Sequence, residues 1–119
     1  MLESAGRTVR TTPPGAETAE ERPNMAYAVV AHYRCAPADE AAVRAALLKA
    51  REATRAEPAN QLYEVHAVGE QPGGFLLYER YDDVTGFEAH KAAPHFKEQI
   101  VETVWPLLTD RSVTFAEVL

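Results

Sequence analysis

The stretch YEVHAVGEQPGGFLLYERYDDVTGFEAHKAAPHF, Tyr63 to Phe96, holds three of the chain's four histidines and two carboxylates set inside apolar strands. It reads as a strand, a Gly-rich turn, a second strand, a short helix and the opening of a longer one. The second strand, Phe75 to Tyr81, puts Phe75, Leu77, Glu79 and Tyr81 on one side and Leu76, Tyr78 and Arg80 on the other, because strand side chains alternate. Both sides are largely apolar. A half-solvated antiparallel strand reads apolar-in and polar-out, so a strand apolar on both sides needs two covers. The chain's own helices supply one, and a partner subunit or a bound ligand supplies the other.

Upstream, Ala26 to Arg34 alternates Tyr27, Val29, Ala31 and Tyr33 against Ala28, Val30, His32 and Arg34, with the β-branched and aromatic content of a strand. Pro37 breaks it. Asp39 is placed to cap a helix running to about Glu57, in which Val43, Ala46, Leu47 and Ala50 recur at the spacing of one buried face. Pro58 ends that helix, since a residue before proline is pushed out of the α region. A strand follows at Gln61 to Val68, and Gly69, Pro72, Gly73 and Gly74 then have the composition of a hairpin loop, which makes the two central strands antiparallel.

Downstream, Asp82 and Asp83 can cap a short helix to about Lys91, weakened by Gly86. Pro94 suits the first turn of another helix, with Phe96, Ile100, Val104 and Leu107 as one stripe and Val101, Trp105 and Leu108 as its neighbour. Pro106 should kink or end it. Ser112 to Val118 closes the chain as a last strand. The order is β-α-β-β-α-β with the second helix split in two, an α+β ferredoxin-like pattern with an antiparallel sheet, both helices on one face and the other face bare.

At 119 residues the chain makes one domain able to bury a core without staples. Residues 25–119 would form it, with 1–24 as a disordered tail, because that segment has almost no large apolar side chain to offset the entropy of ordering. The single cysteine, Cys35, cannot bridge within the chain and gives no sign of an oxidising compartment, so a cytoplasmic location is expected. A net charge of −6 with no basic run excludes nucleic acid and anionic membranes as partners. No apolar run approaches the ~18 residues of a membrane helix.

With the elements placed, YEVH (Tyr63 to His66), FLLYERY (Phe75 to Tyr81), FEAH (Phe87 to His90) and PHF (Pro94 to Phe96) resemble the antibiotic biosynthesis monooxygenase (ABM) superfamily, and within it the small quinol-monooxygenase branch. The resemblance runs from about Met25 to Leu119. It implies a homodimer built as a dimeric α+β barrel. It also implies a cofactor-independent monooxygenase that oxidises a phenol or hydroquinone to a quinone with O₂ and no flavin, haem or metal. Other members degrade haem or isomerise small signalling molecules, but the Asn, His and Trp set of the haem-degrading members has no clear counterpart in this sequence.

Two readings stay open for each candidate residue. His90 follows Phe87 by three and so lies near the apolar side of its helix: it is a core-edge histidine bonded to a carboxylate, or a base whose ordinary pKa of about 6.5 suits removal of a phenolic proton. His95, in a first helical turn, is a surface residue or the neighbour of an anionic ligand. Glu64 and Glu79 occupy central strand positions where an unpaired carboxylate would be costly, so either one could orient His90. Glu64 shares its strand face with His66, a further candidate base. Glu79 could instead pair structurally, for example with Arg34. Tyr33, His32, Tyr63, Tyr78, Phe96 and Trp105 line a flat substrate pocket or simply fill the core.

No metal site is expected, because no two histidines stand at i, i+4 and no Cys-x-x-Cys is present. His90 and His95, five apart across Pro94, suit two walls of a pocket better than one ligand set. Besides oxygenation, the same base could serve an isomerase or cyclase, and a dimeric accessory protein could bind a small molecule without turnover.

Overall fold

Of the two covers that a strand apolar on both sides needs, the computed structural model shows the chain's own helices supplying one. It describes residues 25–70 and 72–119. The segment Met1–Asn24, expected as a tail, lies outside the described residues. The elements are β1 (Tyr27–Cys35), α1 (Glu40–Arg55), β2 (Asn60–Ala67), β3 (Gly74–Tyr81), α2 (Val84–Ala92), a π-helix (Phe96–Val104), a 3-10 turn (Trp105–Leu107) and β4 (Leu108–Glu117). The four strands form one antiparallel sheet in the order β2-β3-β1-β4. This is the ferredoxin-like βαββαβ fold.

The stripe read from the sequence is the stripe that is buried. Val43, Ala46, Leu47, Ala50 and Thr54 line the inner face of α1, which packs on β2 and the π-helix. Leu47, Tyr63, Phe75, Leu77, Ile100 and Val104 close the main core. Each such side chain contributes about 1.5–3 kcal/mol when taken out of water. Asp39 occupies the N-cap position of α1, as expected, but it closes a 3-10 turn that begins at Pro37 and its side chain makes no capping bond. Asp83 does cap α2, accepting from the Gly86 amide at 3.0 Å.

Two boundaries differ from the sequence pattern. The segment after Pro94 winds as a π-helix rather than an α-helix, and Pro106 sits in the 3-10 turn that terminates it. β4 begins at Leu108, four residues before Ser112, because β1 recruits the polar run: Cys35 pairs with Leu108 and Arg34 with Asp110 across a bulge. Backbone pairing with a neighbour, not side-chain alternation, makes those residues a strand.

Register sorts the sheet into two faces. Tyr63, Glu79, Val29 and Phe115 form one cross-strand row, on the helix side. Glu64, Tyr78, Val30 and Thr114 form the next row, and His66, Leu76, His32 and Ser112 another in the same alternating sense, with one row between them. These last two rows face away from the helices. Val30, Leu76 and Tyr78 remain partly exposed there. Among the described residues no helix is long and apolar enough to cross a membrane.

Candidate active site

The site begins where α1 stops. Pro58 ends the helical run, Glu57 N–H bonds back to the Thr54 carbonyl at 2.9 Å, and the Arg55 guanidinium ties the helix end to β2 through the Tyr63 carbonyl at 2.9 Å. Glu57 is thereby held over the helix-side face of the sheet. Gly86 then lets α2 come close: a Cβ there would stand 2.8 Å from Ala59 Cβ and 3.4 Å from Tyr81 Cβ. The glycine that weakens the helix is what permits its approach. At the far end of α2, Ala93 is extended before Pro94, and this break swings the chain so that His95 returns beside His90, with ring centroids 5.9 Å apart.

Four segments therefore deliver polar side chains to one place: the turn after α1, β3, α2 and the turn before the π-helix. His90 is buried, its Nδ1 2.9 Å from Glu57 Oε2 and its Nε2 3.8 Å from Glu79 Oε1. His95 Nε2 bonds the same Glu57 oxygen at 2.5 Å. Glu79 accepts a hydrogen bond from the Tyr81 hydroxyl at 2.7 Å. Aromatic rings enclose the group: Tyr81, Tyr63 and Phe96 lie 5.4, 6.1 and 5.1 Å from the His90 ring. Phe96 meets Trp105 edge-on at 5.9 Å, and Trp105 Nε1 points to the Tyr33 hydroxyl at 3.4 Å.

Burial sets the protonation states. Desolvation pushes the Glu79 carboxyl up to about 7, against the Tyr81 hydrogen bond that lowers it, with the Glu57 charge adding to the rise. Desolvation lowers His90 below the usual imidazole value, and the Glu57 bond opposes it. Tyr63 is held well above the ordinary phenol range by burial and then by Glu79. At neutral pH His90 is thus a neutral imidazole, and its contact with the Glu57 carboxylate requires the proton on Nδ1. That leaves a lone pair on Nε2.

The structure brings together His90, Glu79, His95, Tyr63 and Phe96, with Tyr33 and Trp105 adjoining. It separates Glu64, His66, His32 and Tyr78 from them. Those four share the opposite sheet face, so Glu64 is not the carboxylate that orients His90, and His66, His32 and Tyr78 do not line this cluster. Glu79 does not pair with Arg34; its hydrogen-bond partner is the Tyr81 hydroxyl, and His90 Nε2 stands 3.8 Å away. The carboxylate that holds His90 is Glu57, a residue at the end of a helical run that residue type and spacing alone do not single out. Thirty-three positions separate it from His90, and only the packing of the end of α1 against α2 joins them. His90 and His95 are likewise not two separate walls, because one oxygen binds both.

The class of protein that the fold defines is a ferredoxin-like α+β domain. Residues 26–100 match the family described as antibiotic biosynthesis monooxygenase, and the chain belongs to that family. Among solved structures it is similar to Rv0793 from Mycobacterium tuberculosis, at 29% identity and a TM-score of 0.73, over 79% of this chain and 95% of that one. It is also similar to a protein from Deinococcus radiodurans named for the same family, at 26% identity and a TM-score of 0.72, over 78% and 92% of the two chains. A third, from Nitrosomonas europaea, shares the fold at 22% identity and a TM-score of 0.75, over 81% and 92%. No curated protein matches the chain.

Proposed function

We propose that the chain is a cofactor-independent monooxygenase that oxidises a phenol or hydroquinone to a quinone with O₂. The observation that carries this reading is the neutral, buried His90, fixed at Nδ1 by Glu57 with Nε2 turned inward towards Glu79 among aromatic rings. Nε2 takes the proton of the substrate hydroxyl, and Glu57 stabilises the imidazolium that forms. The resulting anion is electron-rich enough to reduce O₂. An oxygen–carbon bond forms at a ring carbon, giving a hydroperoxide that picks up the proton from His90. Loss of the ring C–H proton and cleavage of the O–O bond then leave the new carbonyl, and the second oxygen departs as water. Substrate supplies all the electrons, so the protein provides binding, orientation and proton transfer. Tyr63, Phe96 and Trp105 would flank a flat aromatic ring.

The test is O₂ uptake with a panel of hydroquinones and phenols. One quinone formed per O₂ consumed, without hydrogen peroxide, supports the reading. Substrate turnover without O₂ uptake would replace it with an isomerase or cyclase using the same base, and ligand-induced thermal stabilisation without turnover would replace it with a binding protein.

A homodimer through the open sheet face belongs to the same proposal. Leu76, Tyr78 and Val30 are apolar and partly exposed on that face, and Arg80 Nε is buried without a hydrogen-bond partner among the described residues. Two such faces packed together form a dimeric α+β barrel with the helices outside. Sedimentation that gives a monomer at micromolar concentration would overturn it.

A further inference from the structure

The cluster on Glu57 has a second chemistry. Glu57 Oε2, His90 Nδ1 and His95 Nε2 lie within 4.8 Å of one another, and the two contacts to the shared oxygen are 2.9 and 2.5 Å. Donors bound to one zinc-sized ion at about 2.0–2.1 Å stand roughly 3.3 Å apart in a tetrahedron, so small side-chain rotations would seat all three. Two imidazoles and one carboxylate form a set suited to borderline divalent ions rather than to Ca²⁺ or Mg²⁺, which take oxygen ligands. A fourth position is left for water or a ligand.

An independent feature points the same way. Glu79 Oε1 stands 3.8 Å from the other nitrogen of His90, and Tyr81 holds that carboxyl in place. A histidine that binds metal through one nitrogen commonly presents the other N–H to a carboxylate, which fixes the ring and strengthens the ligand. His95 keeps about a quarter of its side chain exposed, at 23%, and gives an ion a way in from the surface.

We propose that Glu57, His90 and His95 bind one divalent transition ion of the Zn²⁺ or Co²⁺ class, with Glu79 as the outer carboxylate on His90. The inference goes beyond the oxidation proposed above and does not rest on it, since the three donors converge whatever reaction they serve. An ion and a proton compete for the Nδ1 lone pair, and an ion there leaves the ring proton on Nε2, so the metal-bound state and the Nε2 base of the oxidation above are alternative states of one site.

The test uses full-length protein stripped with a chelator and titrated with Co²⁺, followed by visible absorption and then by displacement with Zn²⁺. One equivalent should bind, with the absorption of a four- or five-coordinate nitrogen–oxygen site. His95→Gln and Glu57→Gln should each weaken binding by at least about 100-fold. Glu79→Gln should weaken it about 10–100-fold, as loss of an outer partner does. The double variant His32→Gln/His66→Gln, on the opposite sheet face, should bind as wild type. His95 is partly exposed, so its variant should keep the far-ultraviolet circular dichroism of the parent and remain informative even where His90→Gln fails to fold. The proposal is overturned by the absence of stoichiometric binding, by wild-type affinity in folded His95→Gln, or by loss of binding in the His32/His66 variant.

Discussion

The two faces of the sheet carry nearly the same residues and meet different fates. On the helix side stand Tyr63 and Glu79 in register; one step along each strand, on the open side, stand Glu64 and Tyr78. Both faces thus hold a tyrosine facing a glutamate across β2 and β3, and each has a histidine near. Glu79 is 5% exposed and carries a carboxyl raised to about 7, because α2 and the end of α1 seal it beneath His90. Glu64 stays partly exposed on a face that the described helices leave open. The chemistry of a carboxylate follows from what is packed over it, and a one-residue step along a strand decides that.

The contrast is broken most severely at the histidines. His90→Gln should lower turnover by roughly 10²–10⁴-fold, the usual contribution of general acid–base catalysis, while His66→Gln on the open face leaves it unchanged. Steady-state O₂ uptake on an accepted substrate measures both. Should His66→Gln be the damaging change, the two faces have been assigned the wrong way round.

A somewhat smaller loss is expected at Glu57. Glu57→Gln keeps the side-chain shape but removes the charge that orients His90, and should cost on the order of 10²-fold in kcat with a lesser effect on KM. Glu64→Gln is the matched control and should cost nothing in kcat. Equal losses in the two variants would contradict the orienting role of Glu57.

Leu76→Glu probes the open face alone. A charge set directly between His66 and His32 in the central rows should shift a dimer towards monomer, because an unpaired charge is costly to bury at an interface. Sedimentation velocity reads the change. A fully dimeric variant would mean that the open face is not the interface.

The smallest effect is one of pH on stability. A carboxyl whose folded value is about 7, against an ordinary 4.5, binds its proton more tightly in the folded state. Its contribution to stability is therefore present at low pH and is lost as pH rises from about 4.5 to about 7. Glu79→Gln stays neutral throughout, so its melting temperature relative to wild type should rise by several degrees between pH 5 and pH 8. A pH-independent difference would show that Glu79 is not held in its protonated form by burial.

The sequence made much of this legible, for physical reasons that also mark where legibility stops. The hairpin of β2 and β3, the stripe of α1 and the break at Pro94 follow from alternation, helical periodicity and proline geometry, all of which are local. The start of β4 at Leu108 does not, because Leu108 to Arg111 become strand only through pairing with β1. At the site, His90, Glu79, His95 and the aromatic rings could be picked out from residue type and position. Glu57 could not, since its partners lie more than thirty residues away and its role arises from how the end of α1 meets α2. Glu64 is a candidate from its central position on β2, where an unpaired carboxylate is costly, but alternation along a strand does not reveal which side the helices will cover.

The central claim is that Glu57 holds the Nδ1 proton of His90 and leaves Nε2 as a buried base. Long-range proton–nitrogen correlation NMR of the histidine side chains, recorded on chelator-treated protein at pH 7, reads that state directly. A neutral His90 ring carrying its proton on Nδ1, with that signature lost in Glu57→Gln, is the predicted result. A His90 ring protonated on Nε2 alone, or charged at both nitrogens at pH 7, would contradict the account.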